Sequence, residues 1–391
     1  MRGTVKQRSK GSWRIVVDAG QDPFTGKRIQ HTETVRGTKS VAEQRLTQVL
    51  SELDSGVYVK TPHDLTVAAY LREWLDGYVA VNCAPQTQES YRFIAEQHIM
   101  PELGKMRLVD LEPRQLQTLY GRKKAAGLTT RTVRYCYSLM SQALGYAVRQ
   151  GILARNVATA TTPPRLRKKP MITLAPEDVE RFFVTARETP YYALFYLLLH
   201  TGMRRGEALA LRWRNVDFGL ESLGITAALS ISQSLGKING QIQLKETKTA
   251  SGKRRVPLPP SSVLVLRQHR EEQEARMQVL GRSVSDSDFV FTKPAGGPLD
   301  PSTVSQAFLA TIRKAGLPDM PLHGLRHTHA TILLSTGTHP KVVQERLGHA
   351  SIRETLDTYS HSVAGLQEAA VVKFDEFLAA KRPAEKSVTK M

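Results

Sequence analysis

The chain has 391 residues, 41% of them hydrophobic, enough material for two or three packed domains and too much for general disorder. A formal net charge of +19 points to a polyanionic partner, although ribosomal, membrane-surface and heparin-binding proteins share that bias. Two cysteines, Cys83 and Cys136, exclude a disulfide framework and fit a reducing interior. No apolar run approaches the roughly 18 residues of a membrane span, and the N-terminus lacks the apolar core of a signal peptide. A cytoplasmic location without a membrane partner is therefore expected.

Residues 1–60 read as a small β-plus-helix module. Trp13, Ile15 and Val17 alternate with Arg14 and Val16 in a strand pattern, the run Asp22–Lys27 reads as a hairpin loop, and a return strand is expected from about Arg28 to Val35. Ser40 and Glu43 form a candidate capping box for a helix whose apolar stripe is Leu46, Val49, Leu50 and Leu53. Basic residues, Arg14 and Arg28 among them, crowd this module. A two-stranded ribbon of that kind can enter a major groove; the plainer reading is a solvated basic face.

Residues 61–157 read as all-helical. Thr66 caps a helix with the stripe Val67, Tyr70, Leu71, Trp74, Leu75 and Tyr78, and a second helix runs from about Gln86 to Ile99. Pro113 opens a third that ends near Gly127, and Thr129 or Thr130 caps a fourth carrying Val133, Tyr137, Met140, Leu144 and Val148. Arg122, Lys123, Lys124, Arg131 and Arg134 gather where the third and fourth helices meet, a placement suited to phosphate contacts, which give affinity rather than sequence choice. Residues 158–172 contain T-T-P-P-R-L-R-K-K-P, and its prolines with Arg165, Arg167, Lys168 and Lys169 describe an extended basic linker.

Beyond the linker the pattern is mixed. Pro176 starts a helix, Tyr191–His200 is strongly apolar and helical, and a β segment runs from about Ile225 to Leu258 with G-K-I-N-G and T-A-S-G-K as turns. Helices return at about Ser261–Leu280 and Pro301–Ala315. Neither a GxxxxGK[ST] loop nor a GxGxxG fingerprint occurs, so nucleotide-driven chemistry is unsupported.

Three short stretches concentrate reactive side chains. T-G-M-R-R-G-E at Thr201–Glu207 exposes Arg204 after a turn, with Arg205 as its rival; taken alone, such an arginine is ordinarily ion-paired to Glu207. His323, Arg326 and His327 stand at i, i+3 and i+4 on one helix face. A metal site of His323, His327 and His329 is disfavoured, because the run lacks the intervening acid of a zincin. His349 follows Gly348, which ends a helix begun at Pro340. Ser351 and Glu354 make a capping box for a last helix with Ile352, Thr355, Leu356 and Tyr359 on one side, so the ordinary reading of Tyr359 is a core aromatic. Lys248 lies in a polar hairpin, with Lys245 and Lys253 as near rivals.

The motifs T-G-x-R-x-x-E, H-x-L-R, L-G-H and T-L-D-T-Y-S-H, in this order and over nearly the whole chain, resemble those of the tyrosine recombinases of phage and mobile-element integrase type. The resemblance implies catalysis by Tyr359, Arg204, Lys248, His323, Arg326 and His349, with Glu207 in a supporting role. The chemistry fits. Attack on a phosphodiester needs cations on the non-bridging oxygens, which arginine supplies best, and proton carriers for nucleophile and leaving group. A phenol with a free pKa near 10 must be activated by its neighbours, and a lysine can protonate the leaving 5′ oxygen. The fold implied is mainly α with small β elements: an arm-type DNA-binding module (1–60), a helical core-binding domain (61–157), the linker, a mixed α+β catalytic domain (173–380) and a polar tail (381–391). Also implied are a 3′-phosphotyrosyl intermediate, a four-way junction, and a homo-tetramer on double-stranded attachment sites in a bacterial, nucleoid-associated setting. Accessory directionality and DNA-bending proteins are further expected partners, and no metal or other cofactor is expected. Leu366, Val371, Phe374 and Leu378 suggest a C-terminal helix. A type IB topoisomerase-like strand transferase and a catalytically silent DNA-binding regulator are the competing readings.

Overall fold

The computed structural model describes residues 3–21, 28–54, 64–166, 171–219, 224–246, 252–359, 371–372 and 374–377. The chain divides into two compact units, 1–168 and 169–391. Helices dominate both, with three small sheets among the described residues.

The first unit begins with an antiparallel sheet of strands β1 (Gly3–Ser9), β2 (Ser12–Gln21) and β3 (Arg28–Arg36), in that spatial order. Helix α1 (Lys39–Asp54) covers one face. Ile15 and Val17 alternate inward onto Ala42 and Val49, while Arg14, just before them, is exposed and Val16, between them, is only partly buried, as period two requires. Two expectations change here. Strand β1 carries mostly polar residues and no apolar alternation, so its place comes from pairing Val5 with Ile15. Helix α1 already starts at Lys39, which puts Ser40 inside the first turn instead of at the cap. The hairpin loop 22–27 lies outside the described residues.

A separate helical core follows. Thr66 accepts a hydrogen bond from Ala69 N–H and caps α2 (Val67–Trp74), which runs through a π turn (Leu75–Val79) into α3 (Ala80–Asn82). Helix α4 (Pro85–Ile94) repeats this device, with a π turn (Ala95–Ile99) leading into α5 (Met100–Leu103). Helices α6 (Pro113–Ala125) and α7 (Thr130–Arg149) close the bundle, and Thr129 caps α7. Tyr70, Leu71, Trp74, Leu116, Met140 and Leu144 fill the interior.

In the second unit, α8 (Pro176–Ala186) and the apolar α9 (Tyr192–Thr201) form the centre of a larger core, which α10 (Arg205–Leu209) joins through Ala208 and Leu209. Strands β4 (Val216–Asp217), β5 (Ala228–Ile231) and β8 (Arg254–Pro257) make one sheet; β6 (Gln233–Ile238) and β7 (Gln241–Glu246) make a ribbon. Asn239 and Gly240, both at positive φ, close that ribbon in a two-residue turn. Then come α11 (Pro260–Val279), α12 (Pro301–Lys314), α13 (Gly324–Ser335), α14 (Pro340–Leu347) and α15 (Ile352–Tyr359). Of the expected C-terminal helix, short helical pieces at 371–372 and 374–377 are described, with Val371 and Phe374 exposed; Leu366 and Leu378 lie outside the described residues.

Candidate active site

Two helix ends build the site. Helix α9 stops at Gly202, in the left-handed conformation at φ +66°, and α14 stops at Gly348, at φ +67°. Each glycine carbonyl receives an arginine from elsewhere in the chain. Arg326 Nη1, from α13, donates to Gly202 O at 2.8 Å, and Arg204 Nη2, from the start of α10, donates to Gly348 O at 3.1 Å. Arg326 is 2% exposed. Arg204 keeps 40% of its side chain open.

Glu207 anchors Arg204. Its carboxylate, 3% exposed, accepts Arg204 Nη1 (2.9 Å) and the Arg204 backbone N–H (2.9 Å). Arg254, on β8, donates to both of its oxygens from Nη1 (3.2 Å) and Nη2 (2.8 Å). Burial alone would raise the Glu207 pKa, but the hydrogen bond and charge of Arg254, then those of Arg204, bring it below the ordinary value. The ordinary ion pair and a partly open guanidinium thus coexist in one residue. The rival Arg205 turns the other way, to Pro301 O (3.1 Å) and Ser305 Oγ (2.6 Å).

The histidines gather around these cations. His323 stands at the start of α13 and meets the His327 ring edge-on at 4.7 Å. Its ring opens to solvent, yet the crowded wall around it, and then the charges of His327, Arg326 and Arg204, push its pKa down to about 4. His349 is buried, and Thr355 Oγ1 holds its Nδ1 at 2.8 Å; burial first, then Arg326 and Arg204, push its pKa down to about 3. Both rings are neutral at pH 7, able to donate one N–H and accept one proton. His329 Nε2 accepts from Arg346 Nε at 3.1 Å, so that ring nitrogen serves a guanidinium. Among the described residues no group of three or more His, Cys, Asp or Glu could hold a metal ion.

Ser351 Oγ accepts from Arg353 N–H at the start of α15, and the helix ends at Tyr359, four positions after Thr355. The side chain of Tyr359 is not among those described, and Lys248 lies wholly outside the described residues. The core reading of this helix loses ground, however. Thr355 is buried, but Ile352 and Leu356 are 38% and 41% exposed, so the apolar stripe does not pack into an interior. The three tyrosines of α9 and its cap are aromatic packing: Tyr191 stacks on Phe195, Tyr192 meets Phe183, and Tyr196 stacks on His200 at 3.9 Å. Of the two rival lysines, Lys253 pairs with Glu246 at 3.4 Å.

The basic residues expected on DNA divide. Arg14, Arg131 and Arg165 are exposed. Arg28 is ion-paired to Asp18, Lys123 is ion-paired to Glu102 at 2.8 Å, Arg122 lies 3.8 Å from the same carboxylate, and Arg134 Nη1 donates to Pro164 O. Lys124 Nζ donates to Thr130 Oγ1 at 3.1 Å. Arg167, Lys168 and Lys169 lie outside the described residues. Sequence reasoning missed Arg254 and Arg346. For Arg254 a signal existed: Val256 reads as the buried residue of a strand, and two positions back is the same face.

Comparison with known proteins matches residues 173–365 to the phage integrase family and residues 66–123 to the N-terminal SAM-like domain of phage integrases. A XerC-like tyrosine recombinase of Caldanaerobacter subterraneus is 28% identical, covering 90% of this chain and 93% of that protein. The ICEBs1 integrase of Bacillus subtilis is 25% identical, covering 96% and 100%. Among solved structures, the Tn1549 transposon integrase in complex with transposon right-end DNA superposes with a TM-score of 0.65 at 21% identity, over 80% of this chain and all of that one. The lambda integrase tetramer bound to a Holliday junction gives 0.57 at 18% identity, over 90% and 96%. The structural likenesses establish the fold.

Proposed function

The chain belongs to the phage integrase family and is a site-specific recombinase, and on that premise we propose that it cuts and rejoins DNA through Tyr359, with Arg204 and Arg326 on the scissile phosphate. The observation that supports this most is the convergence of the two guanidiniums at the paired glycine turns, beside neutral His323 and His349. The helix that ends at Tyr359 starts only three residues after His349.

In the proposed reaction the Tyr359 oxygen attacks phosphorus, the bond from phosphorus to the 5′ oxygen breaks, and a 3′-phosphotyrosyl bond replaces it. A neutral imidazole, His323 or His349, takes the phenol proton; Lys248 delivers a proton to the leaving 5′ oxygen. Arg204 and Arg326 bind the non-bridging oxygens, where negative charge grows. Glu207 orients Arg204. Because one phosphoester replaces another, attack by a 5′ hydroxyl reverses the step without nucleotide. Four protomers on paired attachment sites would exchange strands through a four-way junction, with residues 1–60 reading arm sites, residues 61–157 the core site, and Arg122, Lys123, Lys124, Arg131, Arg134, Arg165, Arg167, Lys168 and Lys169 supplying phosphate contacts. Topoisomerase-like and regulatory readings are not favoured by relatives that are recombinases and integrases.

The test is covalent capture. A nicked duplex spanning the end of the integrated element should trap wild-type protein as a DNA adduct on a denaturing gel. Tyr359→Phe should bind that duplex with near-normal affinity and form no adduct; a persistent adduct would remove Tyr359 from the role.

A further inference from the structure

We propose that Arg254 is a positioning residue that holds Arg204 in its phosphate-binding pose by occupying half of the Glu207 carboxylate. The inference rests on the reading of Arg204 given above. A buried carboxylate beside a lone arginine would close a two-pronged, fork-to-fork pair, taking a full edge of the guanidinium. Here that arrangement is blocked. Arg254 already donates to both Glu207 oxygens, so Arg204 reaches only Oε1 with its side chain and Oε2 with its backbone N–H. Among the described residues the remaining Arg204 contact, Nη2 to Gly348 O, is fixed from the same source. Arg254 Nε donates at 2.8 Å to Arg346 O, two residues before Gly348 at the end of α14. One guanidinium, anchored on β8, therefore sets both groups that grip Arg204.

Arg254 is itself only 7% exposed and every one of its nitrogens is engaged within the protein, so it touches no substrate. A lysine in its place would keep the charge but not the planar fork, and could not serve Glu207 and Arg346 O together.

The experiment measures single-turnover adduct formation by the full chain on the nicked duplex, with either a normal scissile phosphate or a neutral methylphosphonate there. Arg204→Ala, Arg254→Lys, Arg254→Gln and the double variant Arg204→Ala/Arg254→Lys are compared with wild type. A misplaced reacting group costs on the order of a hundredfold, so Arg254→Lys should slow cleavage of the phosphate roughly a hundredfold. Its deficit should shrink on the methylphosphonate, as that of Arg204→Ala should, because less negative charge then awaits an arginine. The double variant should be no slower than Arg204→Ala, as expected for residues acting as one unit. The ratio of the two substrates is internal to whatever fraction of a variant is folded, so it stays informative if Arg254→Gln folds poorly. Equal losses on both substrates, or additive losses in the double variant, would reduce Arg254 to scaffolding. Normal cleavage by Arg254→Lys beside a dead Arg204→Ala overturns this inference alone; full activity of Arg204→Ala overturns the reading beneath it as well.

Discussion

The most exacting test of the site's construction is the addition of one methyl group, Gly202→Ala. Gly202 ends α9 at φ +66° and ψ 18°, a conformation that costs an L-residue about 1–2 kcal/mol. The new Cβ would lie 2.6 Å from His329 Cδ2 and 2.6 Å from Leu347 Cδ2. Neither yields easily: Arg346 holds the His329 ring, and Leu347 is wholly buried among Ala330, Leu334 and Val343. Overpacking of that kind adds about 1–3 kcal/mol, so the total is about 2–5 kcal/mol. At roughly 2–4 °C per kcal/mol for a unit of this size, the melting temperature of the 169–391 unit should fall by about 4–20 °C, with the other unit unchanged. Gly316→Ala is the control. It sits at φ +69° with nothing within 4 Å of its added Cβ, and should show only the backbone cost, about 1–2 kcal/mol. Calorimetry or urea unfolding of the full chain reads both. Because Gly202 O receives Arg326, adduct formation should fall as well, even at temperatures where the variant is folded. Equal destabilisation of the two variants would mean that the helix ends are not tightly fitted, and the reasoning would fail.

Other outcomes follow from the same geometry. His329 and His349 titrate at about 3 in the folded chain against 6.5 for the free side chain, so the unfolded state takes up protons that the native state refuses. Their contribution to stability is complete above about pH 6.5 and is lost as pH falls, with a slope approaching ~1.4 kcal/mol per pH unit for each histidine; urea unfolding that is flat between pH 7 and pH 5 would contradict this. Lys248→Ala should slow cleavage of an ordinary duplex and recover most of the rate on a substrate with a 5′-bridging sulfur, whose thiolate leaves without a proton. If the sulfur substrate is no faster, Lys245 or Lys253 holds the role, or no lysine does. Removing residues 1–58 should abolish footprints outside the core site, keep those within it, and flatten the salt dependence of binding by roughly 0.9 in logarithmic slope for every phosphate no longer neutralised. Identical footprints for both proteins would make the module a solvated basic face.

Much of this architecture was legible because local chemistry announces itself. Thr66 and Thr129 cap their helices, Pro113 and Pro176 open theirs, and the left-handed Gly202 and Gly348 end theirs, all from short-range signals. What was hidden is tertiary. The π turns at Leu75–Val79 and Ala95–Ile99 leave the helical period almost unchanged in the sequence. Strand β1 has a pairing partner but no apolar pattern of its own. The motif around Arg204 named Glu207, yet the second cation on that carboxylate arrives from 47 residues away. Three basic residues stand in a row there, Lys253, Arg254 and Arg255, and only the face of β8 that turns inward decides which of them reaches Glu207. Conversely, the apolar spacing of α15 suggested burial that Ile352 and Leu356 do not have, because periodicity reports a face and not what covers it.

The shared carboxylate has a consequence for charge stoichiometry. Arg204, Arg254 and Arg326 bring three fixed positive charges, Glu207 removes one, and His323 and His349 stay uncharged, so the preformed cluster carries two. A resting phosphodiester carries a single negative charge. The five-coordinate species formed when a phenolate adds to it carries two. In the proposed reaction the imidazole that takes the phenol proton adds a third charge as the substrate's own rises to two, so the attraction grows from ground state to transition state, which is what differential binding requires. A chain lacking that carboxylate would carry one more positive charge and grip intact DNA more tightly, but Arg204 would lose the partner that places its guanidinium where the bond breaks.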